Sequence, residues 1–351
     1  EQFTSGVRAG DPASFITNYT YNSDMMMASV TYPKGNGVKY TYDSGNFNSR
    51  ARGNLLQIRR KADMTQADND TNDIVVNMTY EPNFNFLKTL TDAKGNVTTL
   101  TYDYELPTND ARYGIKGNLV TATFPTAGSQ TPALDFTYNA YGQVTQFTDA
   151  KGHITQYTYN AINGQLATIS RNPAGINAVT QLTYDAYSNI DTVTDPLNNV
   201  TNYDFDALGW LTQVTDALGY KTKYTYDANG NVTKLERQAN AGATLWQTTQ
   251  YTYDIRNNLK TITDPLNRVT TYNYNNNEDM TSVVDANNKT TAYQYDERQL
   301  LFKVTDSNTP TAGVTQYDYD NNGNLKQITD ANASATHYAY DNFDRLTPEP
   351  F

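Results

Sequence analysis

What most constrains this chain is a period. The motif Tyr-x-Tyr recurs along it, and the second aromatic of each copy falls at Tyr21, Tyr42, Tyr80, Tyr102, Tyr138, Tyr159, Tyr184, Phe205, Tyr226, Tyr253, Tyr274, Tyr295, Tyr319 and Tyr340. Seven of the thirteen gaps between these anchors are 21 residues, and the others are 22, 24, 25, 27, 36 and 38. A unit this short cannot bury an apolar face of its own. It must stack on its neighbours, so the fold is an array rather than a globule.

Counting forward from each anchor shows what the unit builds. The first residue on is usually Asp or Asn, as at Asp227, and the fourth is often glycine, as at Gly142, Gly209, Gly230 and Gly323. The sixth is apolar (Val144, Leu211, Val232), and so is the ninth (Phe147, Val214, Ile262). The eleventh is aspartate at Asp149, Asp195, Asp216, Asp264, Asp285, Asp306 and Asp330. Aspartate at the first position and glycine at the fourth suit a type I turn, and the aspartate carboxylate can accept a backbone N–H two residues on. Each unit therefore holds two corners, such as Asp227-Ala-Asn-Gly230 and Asp216-Ala-Leu-Gly219, with strands of about five to seven residues between them. Alternation puts Thr222, Tyr224 and Tyr226 on one strand face. The sixth and ninth positions have opposite parity, so either a β-bulge separates them or both faces are covered.

Strand, turn, strand, turn with no crossover gives an all-β, antiparallel meander. Fourteen units make about 28 strands, a strip on the order of 130 Å at about 4.8 Å per strand. Because strands twist and large open sheets curl, the strip is expected to coil into a curved or spiral shell-like sheet. Residues 1–18 read as a lead-in, 19–346 as one repeat array that is irregular at 43–79 and 103–137, and 347–351 as a tail. The extra residues after Tyr159, Tyr226 and Tyr295 fall near the second corner. Arg60 to Asn72 is polar and is expected to be mobile. The chain starts on Glu1 and stops just after a fresh repeat begins, which suggests a processed piece or a fragment.

Composition narrows the function. Tyrosine (29 residues) far outnumbers Phe (12) and Trp (2), and the net charge is −11. With no basic run beyond Ile58-Arg-Arg-Lys61, itself expected to be solvated, binding to a phosphate backbone is disfavoured. No apolar run is long enough for a membrane-spanning helix. Cysteine is absent, which excludes disulfides and thiolate metal sites. Successive equivalent aspartates stand about 10 Å apart by strand spacing, too far to share one cation. They read as turn chemistry, so no metal and no cofactor is expected. His153 and His337 lie in separate repeats with no convergent partners and read as exposed strand residues. The Asn-Val-Thr triplets at Asn96, Asn199 and Asn231 arise from the repeat. The tyrosine ladder reads first as cross-strand aromatic pairing that stabilises the sheet, and second as a carbohydrate- or peptide-binding surface.

The stretch Phe205-Asp-Ala-Leu-Gly-Trp210 to Val232 is similar to the YD repeat of the Rhs family, with Phe205 at the usual tyrosine position. The same repeat occurs in the BC component of insecticidal toxin complexes, in wall-associated bacterial proteins and in teneurins. The resemblance runs from about Tyr19 to Arg345. It implies a secreted or cell-surface bacterial protein whose β-strip forms part of a hollow shell around a toxin or other cargo polypeptide, alongside flanking shell segments of the same parent. The teneurin and wall-associated members imply an extracellular adhesion or glycan-binding module as the alternative. Self-association through open sheet edges is a further expectation. The Asp-Pro-x-Gly self-cleavage motif of Rhs toxins is not matched: Asp-Pro occurs at Asp11, Asp195 and Asp264, never followed by x-Gly. A non-catalytic, structural segment is therefore expected. The sites carried forward are the corner aspartates and glycines above, and the anchors from Tyr138 to Tyr340.

Overall fold

The computed structural model of the 351-residue chain describes residues 2–4 (backbone only), 12–45, 52–68, 71–240, 242, 244–307 and 313–347. The described residues form β-strands joined by turns, with a single 3-10 turn at Asp103–Glu105 and no α-helix. They group into two units, residues 134–290 and residues 1–133 together with 291–351.

The unit 134–290 is the regular part of the array. Its strands run Val144–Thr148, Ile154–Tyr159, Leu166–Arg171, Ala178–Tyr184, Ile190–Thr194, Val200–Phe205, Leu211–Thr215, Lys221–Tyr226, Val232–Gln238, Trp246–Tyr253, Leu259–Thr263, Val269–Tyr274 and Met280–Val284, preceded by Ala133–Tyr138. Each pairs antiparallel with the next in sequence. This is the meander that the strand–turn alternation predicts.

The parity question is resolved by a bulge. Tyr226 pairs with Val232, but Thr225 pairs with Lys234 and Tyr224 with Leu235, so Thr233 is the extra residue. The same shift follows the anchors at Tyr138, Tyr159, Tyr184, Phe205, Tyr253 and Tyr274. One inserted residue turns the odd spacing of positions six and nine into an even one, so both apolar side chains join the tyrosines on one face. Across that face each apolar residue stands between an aromatic or leucine and a threonine, as Val214 does between Tyr203 and Thr222. The opposite face carries paired hydroxyls, among them Thr158–Thr168 at 2.7 Å and Thr252–Thr261 at 2.6 Å.

The other unit holds two meander runs, Asn18–Tyr21 through Leu119–Thr123 and Thr290–Tyr295 through Ala335–His337, plus the two-stranded pairs Gln2–Thr4 with Ser14–Ile16 and Ala339–Tyr340 with Leu346–Thr347. The irregular stretches prove to be single repeats with lengthened corners. Residues 43–79 contain Leu55–Lys61 and the start of Ile74–Tyr80, with Tyr42 opposite Leu55. Residues 103–137 contain Leu119–Thr123, with Tyr102 opposite Leu119. The lead-in 1–18 thus holds a two-stranded pair, while residues 348–351 of the tail lie outside the described residues.

Two expectations about the basic run are corrected. Within Ile58-Arg-Arg-Lys61 only Arg60 is exposed, while Arg59 is half-buried and Lys61 buried, and residues 60–61 belong to a strand rather than to a mobile stretch. Lys61 is 1% exposed, and its Nζ lies 2.8 Å from the Ala67 carbonyl and 3.2 Å from Asp73 Oδ2. Arg59 Nη1 reaches the same carboxylate at 2.8 Å. A charged run says nothing by itself about its partner, and Asp73 arrives from the following strand's lead-in.

Buried hydrophobic residues are few among the described ones: Phe15, Val30, Val38, Tyr102, Val120 and Ala122, all in the unit 1–133/291–351. In residues 134–290 the apolar positions of the tyrosine face are half-buried, except the exposed Ile190. A single sheet layer covers each side chain only by its cross-strand and same-face neighbours.

Candidate functional site

The corners come first, because they place everything else. At Asp227 the backbone N–H donates to the Asn231 carbonyl (2.9 Å), and the Gly230 N–H donates back to the Asp227 carbonyl (3.2 Å). Asp227 Oδ1 accepts from the N–H groups of Asn229 and Asn231, both at 2.9 Å. Gly230 sits at φ +86°, the left-handed residue that closes a three-residue hairpin loop. Asp149, Asp195, Asp216, Asp264, Asp285 and Asp330 head corners with the same pair of carboxylate contacts. Gly142, Gly209 and Gly323 hold the left-handed position as Gly230 does, and asparagine replaces glycine there at Asn198, Asn257, Asn267 and Asn288. The Asn231 amide and then the backbone donors hold the Asp227 carboxyl below its ordinary range, against the pull of partial burial. Asp306 is the exception. It ends strand Leu301–Asp306 and pairs in the ladder with Gly313. His153 Nδ1 lies 2.9 Å from Asp149 Oδ2, inside its own corner, and His337 is exposed at the end of a strand.

The anchors share a role that the period alone does not reveal. Tyr138, Tyr159, Tyr184, Phe205, Tyr226, Tyr253, Tyr274, Tyr295 and Tyr319 each end a strand opposite the apolar residue just past the corner, at the bulge; Tyr340 pairs with Leu346 in a short separate ladder. The hydroxyl then reaches back to the preceding repeat. Tyr226 Oη donates to the Leu211 carbonyl at 2.7 Å, Tyr253 to Val232 at 2.9 Å, Tyr274 to Leu259 at 3.0 Å and Tyr159 to Val144 at 2.7 Å. Those carbonyls belong to the first residue of each bulged strand, where ladder pairing is interrupted. The phenol supplies the missing donor. This explains tyrosine over phenylalanine at a position that alternation marks only as aromatic.

Burial, and then the neighbouring tyrosine of each Tyr-x-Tyr, raise the phenols of Tyr159, Tyr226, Tyr253 and Tyr274 above the ordinary 10.0. A phenol whose folded value is raised contributes stability that is present below its unfolded value and lost as pH climbs through the folded one. The strip should therefore loosen cooperatively above about pH 10, read by circular dichroism alongside tyrosinate absorbance. A sheet that outlasts full tyrosine ionisation would contradict the ladder. Tyr226→Phe should cost about 1 kcal/mol, and Phe205→Tyr, which offers the Ile190 carbonyl a donor, should gain a similar amount. Denaturant midpoints measure both.

Corners also grip one another along the edge. In residues 134–290, Asn229 Nδ2 and Asn231 Nδ2 both donate to Asn257 Oδ1 at 2.9 Å. Next to the corners Asn139–Gln143 and Asn160–Gly164 lies a half-open recess of about 400 Å³, flanked by Tyr141 (87% exposed) and Ile162 (96%).

In the unit 1–133/291–351, corners from distant parts of the sequence close on each other. The Lys34 N–H donates to Asn322 Oδ1 (2.9 Å), and Lys34 Nζ pairs with Asp320 (3.1 Å) and Asp344 (3.3 Å). Asn36, 4% exposed, donates to Asp344 Oδ2 and accepts from Asn322 Nδ2, both at 2.7 Å. Asn324 Nδ2 donates to Asp344 Oδ1 at 2.7 Å. Burial alone would raise Asp344; the amides of Asn36, Asn322 and Asn324 and the Lys34 ammonium outweigh it and hold the carboxyl low. Nearby, Arg298 lies 3.8 Å over the Phe15 ring and pairs with Asp296 at 2.8 Å. The sequence carried one signal for this clasp. Corner Tyr32-Pro-Lys-Gly-Asn36 lacks the leading aspartate that holds the fifth-residue amide in Asp92–Asn96 and Asp195–Asn199, so the Asn36 amide is free to reach outward.

No three His, Asp or Glu side chains gather as a metal site among the described residues. No described helix is long and apolar enough to cross a membrane.

The family profile described as RHS Repeat matches residues 138–176, 205–243, 253–287 and 319–347. Two solved structures are similar across 94% of this chain, at 16% identity each: "Crystal Structure of TcdB2-TccC3-Cdc42", with a TM-score of 0.52, and "Crystal Structure of TcdB2-TccC3 without hypervariable C-terminal region", with a TM-score of 0.51. The likeness covers 19% of each of those chains, so this chain spans about a fifth of their length. At this identity it establishes the fold. No curated protein sequence matches the chain. The four matched stretches, with their shared corners and bulges, show that this chain carries RHS repeats.

Proposed function

We propose that this chain is a non-catalytic wall segment of a secreted or surface-exposed bacterial RHS-repeat protein, and that its tyrosine-bearing face lies against a cargo polypeptide. The observation that carries the reading is that face. Tyr203 with Val214, Tyr224 with Leu235 and Tyr251 with Ile262 are cross-strand pairs on that face, and all six are half-buried in a single layer. Apolar and aromatic surface of this extent is stabilised by a further partner layer. A cargo chain held there would be dispersed and kept from folding, and the flanking wall would come from the same parent. The TcdB2-TccC3 structures that share the strip fold support this reading.

A photo-crosslinking amino acid at Tyr224, compared with one at Lys223 on the opposite face, tests it in the protein expressed from its complete gene. Crosslinks from position 224, but not 223, to a polypeptide segment other than the strip are expected. Crosslinks from 223 alone, or from neither, would sink the proposal.

A second reading, an adhesion or glycan-binding module, draws on Tyr141 and Tyr187, whose rings stand 87% and 78% exposed at corners. Exposed rings of this kind can stack on sugars. Glycan-array binding that is lost in Tyr141→Ala would favour it.

A further inference from the structure

Two neighbouring corners in residues 134–290 depart together from the usual corner chemistry. Of the corners that follow an anchor there, those at Asp185, Asp206, Asp227 and Asp254 are headed by aspartate. Asn139 and Asn160 head two successive ones with a neutral amide instead. The second of these is also longer by one residue. The Asn139 N–H donates to the Gln143 carbonyl (2.9 Å), four residues on as in the aspartate corners, but the Asn160 N–H donates to Gln165, five residues on (2.7 Å). The recess of about 400 Å³ lies against these two corners, and its volume falls within the range of small-ligand sites.

The hydrogen bonds within the corners decide what the recess can offer. Asn139 Oδ1 accepts from the N–H groups of Tyr141 (2.9 Å) and Gln143 (3.1 Å), and Asn160 Oδ1 accepts from that of Ile162 (2.8 Å). Gln143 Oε1 accepts from Asn139 Nδ2 (2.8 Å), and Gln143 Nε2 donates across to the Gly164 carbonyl (2.7 Å), tying the corners together. Asn163 Oδ1 accepts from the Gln165 N–H (3.1 Å). Each of these side-chain carbonyls already holds a partner. The Asn160 NH2 group, which an aspartate head would lack, makes no hydrogen bond among the described residues, and neither does the Tyr141 hydroxyl. Asn160, Tyr141 and Ile162 are all exposed. The recess therefore presents N–H donors beside a tyrosine ring and an isoleucine, and every residue lining it is uncharged.

A ligand matched to this surface brings acceptor oxygens and an apolar flank, without net charge. A neutral pyranose has that form: hydroxyl oxygens around its edge, and a C–H face that stacks on an aromatic ring. A carboxylated sugar would bring a charge that no lining residue offsets, to a chain of net charge −11.

We propose that the recess is a subsite for one neutral pyranose residue of a glycan. Tyr141 stacks on the sugar ring, the Asn160 amide donates to its hydroxyl oxygens, and Ile162 covers its apolar flank. This inference rests on the glycan-binding reading and gives that reading a site and a ligand class.

Saturation-transfer difference NMR on the full chain tests it. The neutral probes are the methyl pyranosides of glucose, galactose, mannose and N-acetylglucosamine, and the charged probe is N-acetylneuraminic acid. At least one neutral pyranoside should receive saturation, strongest on its ring C–H protons, and N-acetylneuraminic acid should receive none. Tyr141→Ala and Asn160→Asp should each weaken the binding about tenfold. Asn160→Asp installs the head that the Asp185 corner already uses, so the turn is kept. Tyr187→Ala removes an exposed ring at a different corner and should bind as the parent does. Binding that survives both recess variants but is lost in Tyr187→Ala overturns this site and leaves the glycan reading standing. So does a parent that binds on a glycan array but takes none of the neutral pyranosides. A parent that binds neither the probes nor the array overturns the reading together with the site. Saturation of N-acetylneuraminic acid in preference to the neutral probes overturns the ligand class.

Discussion

Asp73→Ala should destabilise the unit 1–133/291–351 by about 3–5 kcal/mol, the range for removing one partner of a buried ion pair. Asp73 is the anionic centre of a small basic cluster. Its carboxylate, 2% exposed, takes Arg59 Nη1 at 2.8 Å and Lys61 Nζ at 3.2 Å. The Lys61 side chain is fully buried, so removing Asp73 leaves an ammonium with only the Ala67 carbonyl and the half-exposed Asp68 for partners. Lys61→Met is a different experiment on the same pair. It removes the buried charge together with its desolvation cost and should be near neutral or stabilising, because Arg59 still satisfies Asp73. The double variant should recover much of what Asp73→Ala loses. Denaturant midpoints of the four proteins give the coupling. If Asp73→Ala and the double variant are equally unstable, the burial of Lys61 is not what makes Asp73 necessary.

Glu81→Ala comes next, at about 3 kcal/mol. Glu81 heads a corner in which one carboxylate, 3% exposed, accepts from the N–H groups of Asn83 (2.7 Å), Phe84 (2.9 Å) and Phe86 (2.8 Å). Removing it takes the partner from three part-buried backbone N–H groups, at roughly 1 kcal/mol each. It also frees the corner that sets two rings in place: Phe84 lies tilted 4.8 Å from Tyr104, and Phe86 lies 5.2 Å from Tyr102. Glu81→Gln keeps one carbonyl oxygen and should fall between parent and alanine variant. Burial alone would raise the Glu81 carboxyl, but the N–H donors of Phe86, Asn83 and Phe84 win and hold it below its ordinary 4.5. A carboxyl lowered in the folded state contributes stability that is present above its unfolded value and lost as pH falls through the folded one. The parent should therefore lose stability more steeply than Glu81→Gln below about pH 4.5. Parallel acid titrations followed by circular dichroism would expose the opposite result.

These two sites and the clasp share a property. The 21-residue pattern by itself announces none of them. Lys61, Asp73 and Glu81 sit in or beside the lengthened repeat 43–79, and Asp344 only becomes a hub when Lys34 and Asn36 arrive from some 300 residues earlier. Gly117 shows the same thing at the backbone. At φ +80° it already favours glycine, and a Cβ there would meet Phe86 Cε2 at 2.5 Å.

The sequence by itself determined the strand–corner alternation, the residues that turn each corner and the face that carries the tyrosines. All of these follow from local rules, namely side-chain alternation, the preference of aspartate for the first turn position and the freedom of glycine at positive φ. It also carried the family resemblance that the repeat profile supports. Tertiary structure decided what local rules leave open. The choice between a bulge and two covered faces depends on which carbonyl meets which N–H across the ladder, and the pairing of Thr225 with Lys234 settles it. The preference for tyrosine at the anchor depends on a carbonyl fifteen residues away, as Leu211 is from Tyr226. The fates of Lys61 and Asn36 depend on which side chains meet in space: Asp73 reaches Lys61 from the neighbouring strand's lead-in, and Asp344 reaches Asn36 from some 300 residues away.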